Sequence, residues 1–417
     1  MFRFYYSNTS FFAFLTLFIG HILYYVSMSV MGESNIRLWV ILFSTFICFG
    51  LIIFSLIYQK DYADKVPKSM QIAIMILLIW NTIGFFRGLF EIKNYEDFRD
   101  FFSDETQGLA GFAPLFFFIG IRSADYVRIF KSFRLFLILL IPLPIFVDLS
   151  SIEGAVTPLL IYVLYLILLI PNCSNKEKIF ITIWSVLCIY NSMQNRSAFT
   201  RIGFCYGILL YVYLFNAVVK VKLWVIIASV FLLITPVFFL YQGIRGDNIF
   251  ERGASSVSER TEEESLNSDT RTFLYVEVFG VFQSRKDLFL GKGVYAAYKT
   301  DFLDMGTRRY TEVGFLTMLL RFGVIGVVLY LVVLVMSVYN GISKSQNLYI
   351  QSVAIFVSFY WLFLFIENVI AFNMLNFVFW FLVGVISVSS NCNLKDEEIK
   401  PAFIGESRKI RIGQFTF

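Results

Sequence analysis

Glu312 stands at the mouth of an apolar run, RRYTEVGFLTMLLRFGVIGVVLYL at 308–331, and Arg321 lies inside that run. Ionisable side chains in such helices are costly, so they are usually functional or paired. A carboxylate beside an apolar wall can act as a general base, which is worth about 10²–10⁴-fold in rate. A guanidinium stays charged and holds phosphate oxygens in a fork. The same combination recurs elsewhere: Arg87, Arg196, Arg201 and Glu367 all fall in or beside apolar runs, together with Asn191, Gln194, Asn195 and Asn368. Each has a plainer alternative. Arg87 and Arg201 could snorkel to an interface, Arg196 could be a loop charge at a helix start, and Arg321 could brace against Glu367 or a backbone carbonyl.

Other chemistries find little support. The one histidine, His21, lies in an apolar run, and the five cysteines include no CxxC pair, so a zinc or iron site is not indicated. The cysteines read as buried free thiols rather than a disulfide framework. GKG at 291–293 lacks P-loop spacing, there is no GxSxG elbow and no DxD pair, and DFLD at 301–304 is too widely spaced to hold a metal-bound nucleotide sugar. No cofactor or metal is expected. A net charge of +5, spread over loops, does not point to nucleic acid.

The elements that must position these groups are membrane helices. The chain is 58% hydrophobic and 16% charged, with 50 phenylalanines; soluble domains carry roughly a quarter charged residues. Runs near 20 apolar residues recur, each long enough to cross about 30 Å of hydrocarbon, and lipid demands that such runs be helices. We place spans near 11–31, 38–58, 70–90, 107–121, 132–147, 153–170, 178–194, 197–219, 222–241, 313–339, 348–371 and 374–389, about twelve in all. Pro142 and Pro144 are candidate breaks in the fifth. The first run shows no small-x-small cleavage site and reads as a retained helix.

Bases set the orientation. Lys60, Lys65, Lys68, Arg122, Arg128, Lys131, Arg134, Lys176, Lys178, Lys220, Lys222 and Lys344 fall on one set of connections, whereas 91–107 and 148–154, on the other, are acidic. The basic set faces the cytoplasm, so both termini do too; Arg3, Arg408, Lys409 and Arg411 agree. This divides the chain into 1–241 with nine spans, a large extracytoplasmic loop at 242–312, 313–389 with three spans, and a cytoplasmic tail at 390–417. Within the loop, 268–284 reads as a helix capped by Ser268 or Asp269, with an apolar face from Phe273, Val276, Phe279 and Gly280. The stretch 251–267 reads as polar and mobile.

With this topology Glu312, Arg196, Arg201, Arg87 and Glu367 share the extracytoplasmic side, and Arg321 lies roughly 13 Å deeper than Glu312 at 1.5 Å per residue. A transporter more often places such groups at the midplane. An enzyme on this side, with no ATP supply, needs a substrate already activated, and a lipid-pyrophosphate-linked sugar meets that need.

The stretches DTRTFLYVEVFGVFQSRKDLFLGKGV and TEVGFLTMLLRFGVIGVVLYLVVL, with NRSAF at 195–199, resemble the superfamily of O-antigen polymerases (Wzy) and O-antigen ligases (WaaL), over about 180–340. The ligases carry a histidine in the extracytoplasmic loop region; Glu312 stands near that place here, which favours the polymerase. The resemblance implies an all-α polytopic fold like that of GT-C glycosyltransferases. It also implies metal-independent transfer of a glycan from undecaprenyl pyrophosphate to a lipid-linked repeat unit in a bacterial inner membrane. By the same resemblance Glu312 is the base, Arg196 and Arg271 contact pyrophosphate or glycan, and Gly291 and Gly293 shape the turn. Arg201 and Arg245 join the pyrophosphate-binding set by position. Tyr295, Tyr298 and Tyr310 are candidates to stack on sugar rings, and a chain-length regulator is a partner the reading leaves open. The competing readings are a ligase and, from another class, a lipid-linked oligosaccharide flippase. The flippase suits the helix count but would show two similar halves, and no internal repeat is visible.

Overall fold

The computed structural model describes residues 11–20, 35–58, 65–104, 106–121, 129, 132–135, 137–138, 152–191, 196–218, 221–244, 270–300, 306–365, 367–398, 411–412 and 415–416. Arg245, His21, Gln194, Asn195, Pro142, Pro144, Ser268, Asp269, the stretches 251–267 and 301–304, and the bases Arg3, Lys60, Arg122, Arg128, Lys131, Lys220, Arg408 and Lys409 lie outside them.

The described chain is mainly helical. In order it forms α1 (Phe11–Gly20), α2 (Asn35–Tyr58), α3 (Lys68–Leu89), α4 (Tyr95–Ser103), a 3₁₀ segment (Gly108–Phe116) and α5 (Phe117–Gly120). Next come α6 (Ile152–Leu169), α7 (Asn175–Asn191), α8 (Arg196–Val218), α9 (Val221–Ile244), α10 (Thr270–Gly280) and α11 (Arg285–Leu290). A short antiparallel hairpin, β1 (Tyr298–Thr300) and β2 (Gly306–Arg308), leads into α12 (Gly314–Lys344), α13 (Leu348–Phe363), α14 (Met374–Ser387) and α15 (Ser389–Asn393). Among the described residues, α3 and α12 are long and apolar enough to cross a membrane, and α13, α14 and parts of several other helices are shorter apolar stretches.

Helix α12 is the hub, packed against α3, α13, α14, α9 and α11. Its Tyr330 sits among Trp361, Phe379 and Trp380, so aromatic surface fills the centre of the bundle. Helices α5 and α14 approach closely through Gly120 and Gly384: a Cβ on either would run into backbone of the other helix. The five cysteines are free and buried. Asparagines cap three helices: Asn94, Asn347 and Asn373 each accept an amide of the following first turn.

Four expectations change. The helix placed at 107–121 is largely 3₁₀, over Gly108–Phe116, and only Phe117–Gly120 is α; Pro114 within it removes a helical hydrogen bond and its ring crowds the carbonyl four residues back, which disfavours an α-helix through that turn. The helix placed at 348–371 stops at Phe363, so Glu367 and Asn368 lie in an irregular connection. The helix placed at 313–339 extends to Lys344 but breaks at Gly323, whose φ of 66° and ψ of −173° belong to a region that only glycine occupies readily. In α10 the buried apolar residues include Leu274 and Val278, while Gly280 is exposed.

Candidate functional site

The site is built on the break in α12. Three successive carbonyls there take donors from outside the helix. Lys292 N–H donates to Leu320 O at 2.8 Å, Gly293 N–H to Arg321 O at 3.0 Å, and Trp80 Nε1 to Phe322 O at 2.9 Å. The GKG turn is thus seated in the helix break. Gly291 has φ 69° and Gly293 φ 98°. A Cβ on Gly291 would lie 2.5 Å from Arg321 O, and one on Gly293 3.0 Å from Gly88 N. Arg87 secures the turn from α3, donating to Leu290 O at 2.8 Å and Gly291 O at 2.5 Å. The amides of Gly291, Lys292, Gly293 and Val294 all donate to protein carbonyls. The turn's contribution is therefore its shape, not a nest of free N–H groups.

Above the break sits Arg321, its side chain fully buried. It donates to Arg309 O at 3.0 Å and to Thr106 O. Of the two partners weighed from the sequence, the backbone carbonyl is the one it takes; Glu367 pairs elsewhere. The guanidinium reaches back toward the hairpin, as helical side chains lean toward the N-terminus. It joins the segment after α4 to the segment before α12.

Arg309 in turn lies 2.7 Å from Asp97 on α4, and its guanidinium stacks 3.9 Å from the centre of the Tyr295 ring. Tyr295 donates its hydroxyl to Asp97 at 2.8 Å. That bond, foremost, holds the Asp97 carboxyl below its usual range, with the Lys93 amide and Arg309 adding to it against partial desolvation. Burial, and then the bond to Asp97, pushes the Tyr295 phenol up. The sequence reading missed Asp97 and Arg309. Asp97 is one charge among many in an acidic loop, and nothing local marks its partners, which are far along the chain.

Glu312 precedes α12, and its side chain is 53% exposed, 4.0 Å from Arg308. The hairpin register places Arg308 opposite Tyr298, and the Tyr298 hydroxyl donates to Tyr310 O at 3.4 Å. Burial raises the Tyr298 phenol; among nearby charges Glu277 of α10 and Glu312 push the same way and Arg308 opposes them. Glu277, Tyr298, Arg308 and Glu312 therefore form one electrostatic cluster. Tyr295 and Tyr298 are both buried, and Tyr310 is exposed. Of the three tyrosines, Tyr310 presents the most open ring.

The start of α12 is capped by the end of α13: Phe315 N–H donates to Leu364 O at 2.9 Å and Gly314 N–H to Glu367 O at 3.3 Å. This brings Glu367 beside the residues that follow Glu312. The Glu367 carboxylate is 2.6 Å from Arg201 of α8, whose guanidinium also lies 4.5 Å from the centre of the Phe363 ring. Arg201 is thus ion-paired at the same junction. Arg196 opens α8 and Arg271 lies in the first turn of α10, as expected from the sequence; their side chains are not among those described. Arg245 lies outside the described residues.

Comparison with protein-family models, with curated proteins and with solved structures yields no match to this chain.

Proposed function

We propose that this chain is a bacterial inner-membrane glycosyltransferase of GT-C-like architecture. In this reading it has about twelve spans, an extracytoplasmic loop at 242–312 and both termini in the cytoplasm. It polymerises undecaprenyl-pyrophosphate-linked oligosaccharide units into O-antigen or a related surface polysaccharide. The observation that carries the reading is the cluster at the head of α12: the half-exposed Glu312 held near Arg308, with the Arg201–Glu367 pair beside the capped helix start.

In this mechanism Glu312 accepts the proton of an acceptor-sugar hydroxyl. The acceptor oxygen forms a bond to the donor's anomeric carbon as the bond from that carbon to the pyrophosphate oxygen breaks. Undecaprenyl pyrophosphate leaves with the bonding pair, and arginines of this face stabilise its charge. The Gly291–Gly293 turn keeps the hairpin in register over the helix head.

The test is surface-glycan length on a gel, in a deletion strain complemented with wild type or Glu312→Gln at matched expression. The ladder is expected to collapse to single-repeat bands, in line with a loss of about 10²–10⁴-fold. A normal ladder would remove Glu312 from the mechanism, and absence of all glycan in the deletion strain would favour the flippase.

A further inference from the structure

Glu312 carries a half-exposed side chain on a backbone that is held at its neighbours on both sides. Before it, Arg309 O accepts from Arg321 at 3.0 Å and Tyr310 O from the Tyr298 hydroxyl at 3.4 Å. After it, the amides of Gly314 and Phe315 donate to Glu367 O and Leu364 O. The two residues flanking it, Thr311 and Val313, are fully buried, whereas the Glu312 side chain is 53% exposed.

Two threonine hydroxyls close the gap between those anchors. Thr311 Oγ1 donates to Val313 O at 2.5 Å and accepts the Val313 amide at 3.1 Å. Glu312 is thereby the middle residue of a turn closed through one hydroxyl. Thr317, in the first turn of α12, holds Thr311 in its place. Its Oγ1 accepts the Thr311 amide at 3.1 Å and lies 3.2 Å from Thr311 Oγ1 and 3.4 Å from Thr311 O. The Thr311 hydroxyl proton goes to Val313 O, so Thr317 is the donor between the two hydroxyls. Both side chains are fully buried, where hydrogen bonds are stronger than in water.

These hydroxyls do not serve the helix. A threonine within a helix can turn its hydroxyl to the carbonyl four residues back, and Thr16, Thr82, Thr182 and Thr235 do so. For Thr317 that carbonyl is Val313 O, which Thr311 already holds, and Thr317 reaches past it to residue 311. The first amides of α12 are taken by the end of α13, and Val313 gives no side-chain cap. The hydroxyl pair is thus directed at the turn that carries Glu312.

We propose that Thr311 and Thr317 are positioning residues for Glu312: their paired hydroxyls fix its turn, so that the carboxylate is presented outward on a rigid backbone. The consequence for catalysis rests on the glycosyl-transfer reading above, in which Glu312 must meet a hydroxyl proton at hydrogen-bond distance. A misplacement of about 1 Å can cost roughly 10²-fold in rate.

Two readouts on the full chain test this. The first is the spectrum of a nitroxide on Glu312→Cys in phosphatidylcholine nanodiscs; the five native cysteines are buried and label slowly. Adding Thr317→Val, which keeps the shape and removes the hydroxyl, should narrow the spectrum. Adding Thr317→Ser, which keeps the hydroxyl, should leave it unchanged. Thr311→Val and Thr311→Ser should repeat the pattern, and they carry the test if Thr317→Val fails to fold. The second is the rate of glycan elongation with Glu312 in place, using purified protein and a lipid extract of the deletion strain, in which unpolymerised units accumulate. Thr317→Val should lower the maximal rate by about 10–100-fold at an unchanged half-saturating amount of extract, and Thr317→Ser should restore it. An unchanged spectrum or an unchanged rate in the valine variants overturns the proposal. So does a loss that serine fails to restore, which would mark packing alone. The polymerase reading fails separately: a narrowed spectrum with normal elongation by Glu312→Gln, or with none by the wild type, leaves the turn as described and removes the mechanism.

Discussion

Gly291 and Gly323 back onto each other. A Cβ on Gly291 would lie within 3.0 Å of Gly323 N, and a Cβ on Gly323 would equally crowd Gly291 N. Both have positive φ with ψ near 180°, where a side chain costs about 1–3 kcal/mol in backbone strain alone. The contact holds the break in α12 and the turn after α11 as one unit.

Substituting either glycine should therefore damage both elements. Gly291→Ala and Gly323→Ala are each expected to destabilise the purified protein by about 1–3 kcal/mol from strain, with overpacking adding to it. Thermal unfolding in detergent would show this as a lowered midpoint, with the double variant no better than the worse single one. A wild-type midpoint for Gly323→Ala would show that the helix can run straight through.

Arg321 donates to carbonyls of two segments distant in sequence, Thr106 and Arg309. Arg321→Met would leave both oxygens short of a donor in a buried setting, at about 1–3 kcal/mol each. Arg321→Lys should recover only part of this, since one ammonium does not reproduce the two-pronged geometry. Limited proteolysis is the direct check. Cleavage in 91–107 and 298–312 should rise together in Arg321→Met and less so in Arg321→Lys; unchanged cleavage would remove Arg321 as the brace.

The Arg201–Glu367 pair can be measured by a double-mutant cycle. Arg201 is 8% exposed and Glu367 38%, so the pair is only partly screened by solvent. Arg201→Gln and Glu367→Gln should couple by about 0.5–3 kcal/mol in unfolding free energy. Additive effects would mean that the two side chains do not meet in solution.

Asp97 supplies a pH dependence of known sign. Its carboxyl is lowered in the folded state, by the Tyr295 hydroxyl above all. The stabilisation is therefore complete above the ordinary aspartate value and is lost as pH falls through the lowered folded one. Stability of the wild type should drop on the acid side, below about pH 4, more steeply than that of Asp97→Asn. Parallel acid limbs in thermal melts would rule out Asp97 as the source.

Much was legible along the chain because some signals are local. The apolar content of α3 and α12 marks them as long helices without reference to any partner, and Glu312 is visible at a helix mouth because polarity changes there within a few residues. Even the pairing of Arg321 with a carbonyl was one of two options its burial imposed, since a guanidinium enclosed in apolar surroundings must donate somewhere.

Tertiary structure decided what depends on distant partners. Gly323 looks like any glycine in an apolar helix, and its break exists because the GKG turn offers donors to the carbonyls around it. Glu367 leaves the helical path because carbonyls at the end of α13 cap the first amides of α12. Asp97, Tyr295 and Arg309 mean nothing singly and become one clamp only when α4 folds against the hairpin. Hydrophobicity and propensity are properties of a residue and its neighbours in sequence; hydrogen bonds that close between segments far apart along the chain are properties of the packed chain.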